Sequence, residues 1–422
     1  MSNNTDNRTL RVIITTPVWT LNGVNVFILK LARGLLARGI DAQVLITQPD
    51  FKDTKPMPVP EDVPLVNLPL PRSRSWKNRR RAMIDYLTEQ APCIYMPNHD
   101  FYHSCISPVL PAEVHVVGRL ASDDPPHLDH MKRLGLYWDA VVCVSETLAE
   151  KARHMHPMMS DRVFHIPNGV PVDHGAVDNR LAPGDPIQLI YTGRIDTAQK
   201  RVDHLLEVAA ELKQRAVPFQ LDLVGGGEES AYLSQCYRSL VDDGSVRFVG
   251  IIPNDDVWSM YKDHHVFVLA SAFEGMSNAM LEAASCGCVP VITGVESGAS
   301  ELVADGENGF LIDVGDTATF ADRIAELQAN PALLHQMSQA AKTSIVTRGL
   351  TDDAMVERYL DLFRMITDEK LPHPLRMPDQ PIQPPPHFYR ELFFLRIRPF
   401  TDFALAARRF LRQLFTGSNR KN

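Results

Sequence analysis

The chain has 422 residues, of which 45% are hydrophobic and 22% charged, with a formal net charge of −8. That length and balance suit a folded protein with two full cores and exclude a disordered or fibrous chain. Positive charge is concentrated at one end, where residues 386–422 carry eight Arg or Lys against Glu391 and Asp402, so the acidic body argues against a nucleic-acid partner.

The polar start, MSNNTDNRTLR, lacks the apolar core of a signal peptide, and no run approaches the roughly 18 apolar residues of a membrane span. Six scattered cysteines without framework spacing fit a reducing cytosol. The first elements expected are a strand over 11–15, a polar turn over 20–25, a helix over 26–37 stopped by Gly39, and a strand over 41–47. This βαβ pattern predicts a parallel, doubly wound sheet. Further strands are expected over 65–68, 93–96, 114–117, 140–144 and 163–166. Arg72, Arg74, Lys77, Arg79, Arg80 and Arg81 surround Trp76 at the start of a helix, a basic patch suited to a membrane surface or to solvent.

Residues 171–186 are rich in Pro, Gly and Asp without periodicity and read as a linker. A second alternating series follows, with strands over 187–191, 220–224, 246–249, 266–269 and 289–292. Helices are expected over 202–215, 318–329 and 352–366. The chain therefore divides into a first Rossmann-like domain over 1–170 and a second over 187–366, with ligands expected at the strands' carboxyl ends in the cleft between them. Residues 371–386 hold seven prolines and read as an extended spacer. Beyond it, 387–422 form a basic aromatic tail. Phe403, Phe410 and Leu414 fall on one helical face and Arg408, Arg409 and Arg412 towards the other, a pattern that fits an anionic membrane interface or burial against protein.

The segment VFVLASAFEGMSNAMLE, residues 266–282, carries the most chemistry. A buried strand runs into a turn holding Glu274 and Gly275, then into a helix from about Ser277 that contains Glu282. The free amides of Met276, Ser277 and Asn278 at such a helix start can hold a phosphate, and the carboxylates can hold sugar hydroxyls. Upstream, Arg194 and Lys200 bracket another strand-end loop, where two fixed cations can stabilise a departing diphosphate. Gly225 begins a triple glycine after the strand over 220–224, letting the backbone approach a base or phosphate. Cys286-Gly-Cys288 has no partnering Cys or His pair nearby and reads as tight contact at a helix end rather than a metal site.

The spacing Glu274-x7-Glu282, the element running from Gly193-Arg194 to Lys200, and the VRFVG stretch over 246–250 occur in an order that resembles retaining, nucleotide-sugar-dependent glycosyltransferases of family 4. VCVS over 142–145, IPNGV over 166–170, the glycine loop around Asn22-Gly23, and 296–310 as a loop-and-hairpin segment extend the likeness from about residue 9 to 366. Two departures stand out. Arg201 replaces the usual Gly after Lys200, which is expected to alter that loop's path. The usual cleft His is missing near Ala121, leaving Arg119, Asp123, Asp124, His99 and His103 as candidates for that part of the cleft.

The resemblance implies an α/β fold of the GT-B type, two doubly wound parallel-sheet domains facing an interdomain cleft. It implies transfer with retention from a nucleoside diphosphate sugar, UDP-sugar favoured, to a glycan or lipid-linked acceptor in polysaccharide synthesis, without metal or other cofactor. Glu274 would hold the sugar hydroxyls and Glu282 the ribose, Arg194 and Lys200 the diphosphate, the Gly23 amide a further phosphate contact, and Ile252 the base pocket. A sugar-nucleotide epimerase or phosphorylase on the same architecture, and a non-catalytic glycan-binding or scaffolding protein, remain open. The expected location is cytoplasmic, peripheral on the inner membrane face.

Overall fold

The computed structural model describes residues 10–50, 57–72, 75–98, 100–172, 181–182, 184–296 and 298–377. Most of the expected linker, the end of the proline-rich spacer, the whole basic tail, Arg74 and His99 lie outside the described residues.

The first unit follows the alternation written in the sequence. In chain order it comprises β1 (Arg11–Thr16), α1 (Gly23–Leu36), β2 (Asp41–Ile46), β3 (Leu65–Asn67), α2 (Trp76–Glu89) and β4 (Cys93–Met96). It continues with β5 (Val114–Leu120), α3 (Pro125–Leu134), β6 (Ala140–Cys143), α4 (Glu146–Met155) and β7 (Val163–His165). The strands pair in parallel in the order β3-β2-β1-β4-β5-β6-β7. Central strands such as β4 are buried on both faces, which is why they read as unbroken apolar runs. Helix starts are set by side-chain caps: Asn22 for α1, Ser75 for α2, Asp124 before Pro125-Pro126 for α3, and Ser145 for α4.

The second unit repeats the plan with β8 (Ile187–Thr192), α5 (Val202–Gln214), β9 (Phe219–Val224), α6 (Ser230–Cys236), α7 (Arg238–Asp242) and β10 (Val246–Gly250). Then come α8 (Asn254–Asp263), β11 (Val266–Leu269), α9 (Asn278–Ser285), β12 (Val289–Thr293), α10 (Ala299–Leu302) and β13 (Phe310–Ile312). Its sheet order is β10-β9-β8-β11-β12-β13, again all parallel. The segment expected as a loop and hairpin is instead the short helix α10 and a turn leading to β13, a parallel edge strand beside β12.

Helices α11 (Thr317–Ala329) and α12 (Pro331–Thr347) cover this second sheet, but α13 (Asp352–Thr367) crosses back to the first unit. There the Tyr359 ring packs tilted against Phe27, and Gly34 lets α1 and α13 meet, since a Cβ at Gly34 would lie 2.3 Å from Val356. The start of the proline-rich segment also docks on the first unit. Met377 N–H donates to the Pro108 carbonyl at 2.7 Å, and Arg376 pairs with Asp139 at 3.0 Å. Among the described residues no helix is long and apolar enough to cross a membrane.

Candidate active site

Strand β8 ends in a loop that packs against the end of β9. Gly193 has φ +155° and Gly225 φ +136°, and a Cβ on Gly225 would lie 1.8 Å from the Gly193 carbonyl oxygen. Only glycine permits that approach. The Gly225 N–H donates to the Gly250 carbonyl at 2.8 Å, joining the ends of β9 and β10, and Ile252 follows half-buried against the core.

Within the β8 loop, Asp196 is the organiser that sequence reasoning missed. Its Oδ1 accepts from the Gln199 and Lys200 amides at 2.7 and 3.0 Å, and its Oδ2 accepts from Arg194 Nε at 2.7 Å. Burial works against the charge, but these donors hold the Asp196 carboxyl below its ordinary range. The available signal was an Asp placed to accept from backbone amides a few residues on, as such side chains do in turns and at caps. Arg201 takes the left-handed conformation, φ 49° and ψ 48°, at the residue before α5. Arg201, at the position where the family carries Gly, thus adopts the left-handed conformation that glycine takes most readily.

Lys200 reaches from this loop to the turn after β11, where its Nζ donates to Glu274 Oε1 at 2.5 Å. Ser271 Oγ donates to the same oxygen at 2.7 Å. Arg194 lies further out, with 62% of its side chain exposed, and also donates to Gln199 at 2.8 Å. It borders a cleft of about 920 Å³ that Asp196, Gln199, Gly226, Glu228 and, from the first unit, Asp124 help to line.

Helix α9 begins at Asn278 with Ser277 as its cap, so the expected start near Ser277 is within a residue. Met276 is buried, and the Gly275 carbonyl accepts from Gly298 at 2.7 Å. Gly275 faces the first unit, where a Cβ would lie 2.1 Å from the Ala121 carbonyl oxygen. The position where the family carries its cleft His is therefore pressed against the acidic turn.

Asn278 ties the two units together. Its Nδ2 donates to the Gly23 carbonyl at 3.4 Å, and its Oδ1 accepts from Asn168 at 2.7 Å. Asn168 in turn accepts from Arg119 at 2.7 Å. Arg119 is buried with its guanidinium 3.8 Å from the Phe27 ring centre, so it braces this chain of contacts rather than lining the cleft. Asp123 pairs with Lys151 at 2.7 Å, Asp124 caps α3 and meets His127, and His103 is buried against Asp100.

Glu282 sits one turn into α9, buried, with Lys30 of α1 at 3.5 Å. Burial pushes its carboxyl above the usual range, and Lys30 pulls it back. Cys286 and Cys288 are both buried, where burial raises their thiols, and the Cys288 thiol donates to the Tyr261 carbonyl.

Two family models match the chain: Glycosyltransferase Family 4 over residues 21–174 and Glycosyl transferases group 1 over residues 177–344. The chain is a family 4 glycosyltransferase. Among curated relatives, this glycosyltransferase is 28% identical over 244 residues to the lipopolysaccharide core biosynthesis glycosyltransferase LpsE of Rhizobium meliloti, covering 57% of this chain and 67% of that one. It is 29% identical over 231 residues to a GDP-mannose-dependent phosphatidylinositol monomannoside mannosyltransferase of Mycolicibacterium smegmatis, covering 50% and 59%. The chain spans less than two thirds of several such relatives. Among solved structures, S. aureus TarM in a complex with UDP superposes with a TM-score of 0.69 at 12% identity, covering 84% of this chain and all of that one. HepE of Anabaena with UDP-glucose gives 0.67 at 15% identity, covering 84% and 99%. These likenesses establish the GT-B fold.

Proposed function

We propose that the enzyme moves a sugar from a nucleoside diphosphate sugar, UDP-sugar favoured, to a hydroxyl of a glycan or lipid-linked acceptor in cell-surface polysaccharide synthesis. The observation that carries this reading is the meeting of Lys200 with Glu274 in the turn before α9, next to a cleft lined by Arg194 of the same loop and by Phe273, the residue before Glu274. Lys200 and Arg194 stabilise the diphosphate as it leaves, Glu274 holds the sugar hydroxyls, and Glu282 takes the ribose hydroxyls. The amides at Gly23 and at residues 275–278 add phosphate donors, Gly225 lets the backbone come close, and Ile252 borders the base.

In this reading the bond between the anomeric carbon and the diphosphate oxygen breaks. The acceptor oxygen bonds to that carbon on the same face, and the acceptor's proton passes to the departing phosphate. The anomeric configuration is retained, and fixed cations serve in place of a metal. TarM and HepE were solved with UDP and with UDP-glucose, which supports a uridine donor, and LpsE acts in lipopolysaccharide core biosynthesis, which supports a surface-glycan acceptor. The basic tail over 387–422 is assigned to an anionic inner-membrane surface on its sequence pattern.

A thermal-shift screen across UDP-, GDP- and ADP-sugars, followed by donor hydrolysis, tests the proposal. One nucleotide sugar should raise the melting temperature and slowly release its sugar. Binding without sugar release would favour a glycan-binding or scaffolding role, and conversion of the donor into its epimer an epimerase.

A further inference from the structure

Helix α1 carries a single ammonium into the junction between the units. Lys30 is largely buried, with its Nζ 3.5 Å from Glu282 Oε1 and 3.4 Å from the Gly169 carbonyl oxygen. Asp352, the first residue of α13, faces the same space. It is pinned there, because its N–H donates to the Val170 carbonyl at 3.0 Å and a Cβ on Gly169 would lie 2.6 Å from the Asp352 Cα. Its Oδ1 is buried and has no hydrogen-bond partner among the described residues.

One cation thus contacts the buried carboxylate of Glu282 and lies within electrostatic reach of a second, partly buried carboxylate, Asp352. Burial raises the pKa of both, the Lys30 charge pulls both back, and the Asp352 charge pushes Glu282 up further. Leaving either carboxylate ionised and unpaired in such a site is strongly unfavourable. A ribose diol offers two O–H donors, which an ionised carboxylate can accept together and a protonated one cannot. An ammonium fixed on Glu282 would compete for those same oxygens.

We infer that Lys30 and Asp352 are positioning residues for the donor's ribose: Lys30 keeps Glu282 ionised in the empty site and moves towards Asp352 Oδ1 when the diol arrives. This rests on the reading of Glu282 as the ribose acceptor. Glu282 is paired in both states, with Lys30 before the diol arrives and with the diol afterwards, while Asp352 Oδ1 gains its partner only in the second; because Lys30 belongs to the helix that starts at Gly23, ribose recognition is tied to the first unit's phosphate loop.

The test uses the full chain as wild type, Lys30→Met, Lys30→Arg, Asp352→Asn and the Lys30→Met/Asp352→Asn double variant. Calorimetry measures UDP, GDP and ADP against their 2′-deoxy analogues, and thermal denaturation follows each protein. Wild type should prefer the ribonucleotide by roughly tenfold or more, as for a hydrogen bond to a charged group. Lys30→Met should cut that preference to a few-fold, Lys30→Arg should keep most of it, and Asp352→Asn should weaken the ribonucleotide more than the deoxy analogue. Asp352→Asn should also raise the melting temperature more in the Lys30→Met background than in wild type, a coupling that unrelated structural roles would not give. Wild-type preference for ribose that survives unchanged in Lys30→Met and Asp352→Asn overturns the inference alone. Wild type that binds no nucleotide, or binds the deoxy form equally well, overturns the ribose reading of Glu282 and the inference with it.

Discussion

The ammonium of Lys200 lies 2.5 Å from the carboxylate of Glu274, across 74 residues of chain, and each is mostly buried. The group assigned to the diphosphate and the group assigned to the sugar thus neutralise one another. In the proposed function, an incoming diphosphate would compete for Lys200, and the freed Glu274 would face the sugar hydroxyls.

Lys200→Ala and Arg194→Ala should each lower turnover by roughly 100-fold or more, as when one charge contact to the transition state is lost. Initial rates at saturating donor, with circular dichroism to check folding, provide the measurement. Wild-type rates in folded variants would remove the diphosphate assignment.

Glu282→Gln should mainly raise KM for the donor, and Glu274→Gln should mainly lower kcat. Glu282 is inside α9, where the proposed function puts the ribose, whereas Glu274 lies in the turn beside Lys200. Contacts made equally in the ground and transition states change KM, and those strengthened in the transition state change kcat. The reverse pattern in steady-state kinetics would mean the donor lies the other way round.

Gly275→Ala tests the contact between the units. Its new Cβ would sit 2.1 Å from the Ala121 carbonyl oxygen, a backbone atom that cannot swing aside. The units must separate, and a displacement near 1 Å at the chemistry can cost about 100-fold. The variant should therefore lose most of its kcat/KM while keeping far-UV circular dichroism, and full activity would show that the contact is dispensable.

Acid stability should depend on Asp222, buried in β9. Burial raises its carboxyl, but His264 at 3.1 Å and Arg247 at 2.6 Å outweigh this and bring it down to about 2. A depressed carboxyl stabilises the fold above its unfolded value and loses that contribution as pH falls towards the folded value. Asp222→Asn should cost about 1–2 kcal/mol near neutrality, and the gap to wild type should close between about pH 4 and pH 2. Urea titrations across that range measure it, and a gap independent of pH would contradict the ionised pair.

Much of this arrangement was legible in the sequence. The buried parallel strands announce themselves as short apolar runs, and Arg194, Lys200, Glu274 and Glu282 fall at recognisable spacings. What escaped was set by distant partners. Lys30 meets Glu282 over 252 residues and Asn168 meets Asn278 over 110, and no local pattern marks either. Asn168 looked like a turn residue and is also a tie between the units. The apolar stripe of α13 predicted a helix, but periodicity cannot say which sheet a stripe will cover. Strand β13, three residues long, was too short to stand out beside its turn. Nor does sequence reveal that Arg201 accepts a left-handed conformation.

The central claim, retaining transfer by fixed cations, is tested most directly by proton NMR of the sugar released or transferred from the donor selected by thermal shift, with EDTA present throughout. The account predicts that the product first appears in the donor's own anomeric configuration, at a rate that EDTA leaves unchanged and that falls about 100-fold in Lys200→Ala. A product first formed in the opposite configuration, or activity abolished by EDTA and restored by magnesium or manganese, would contradict it.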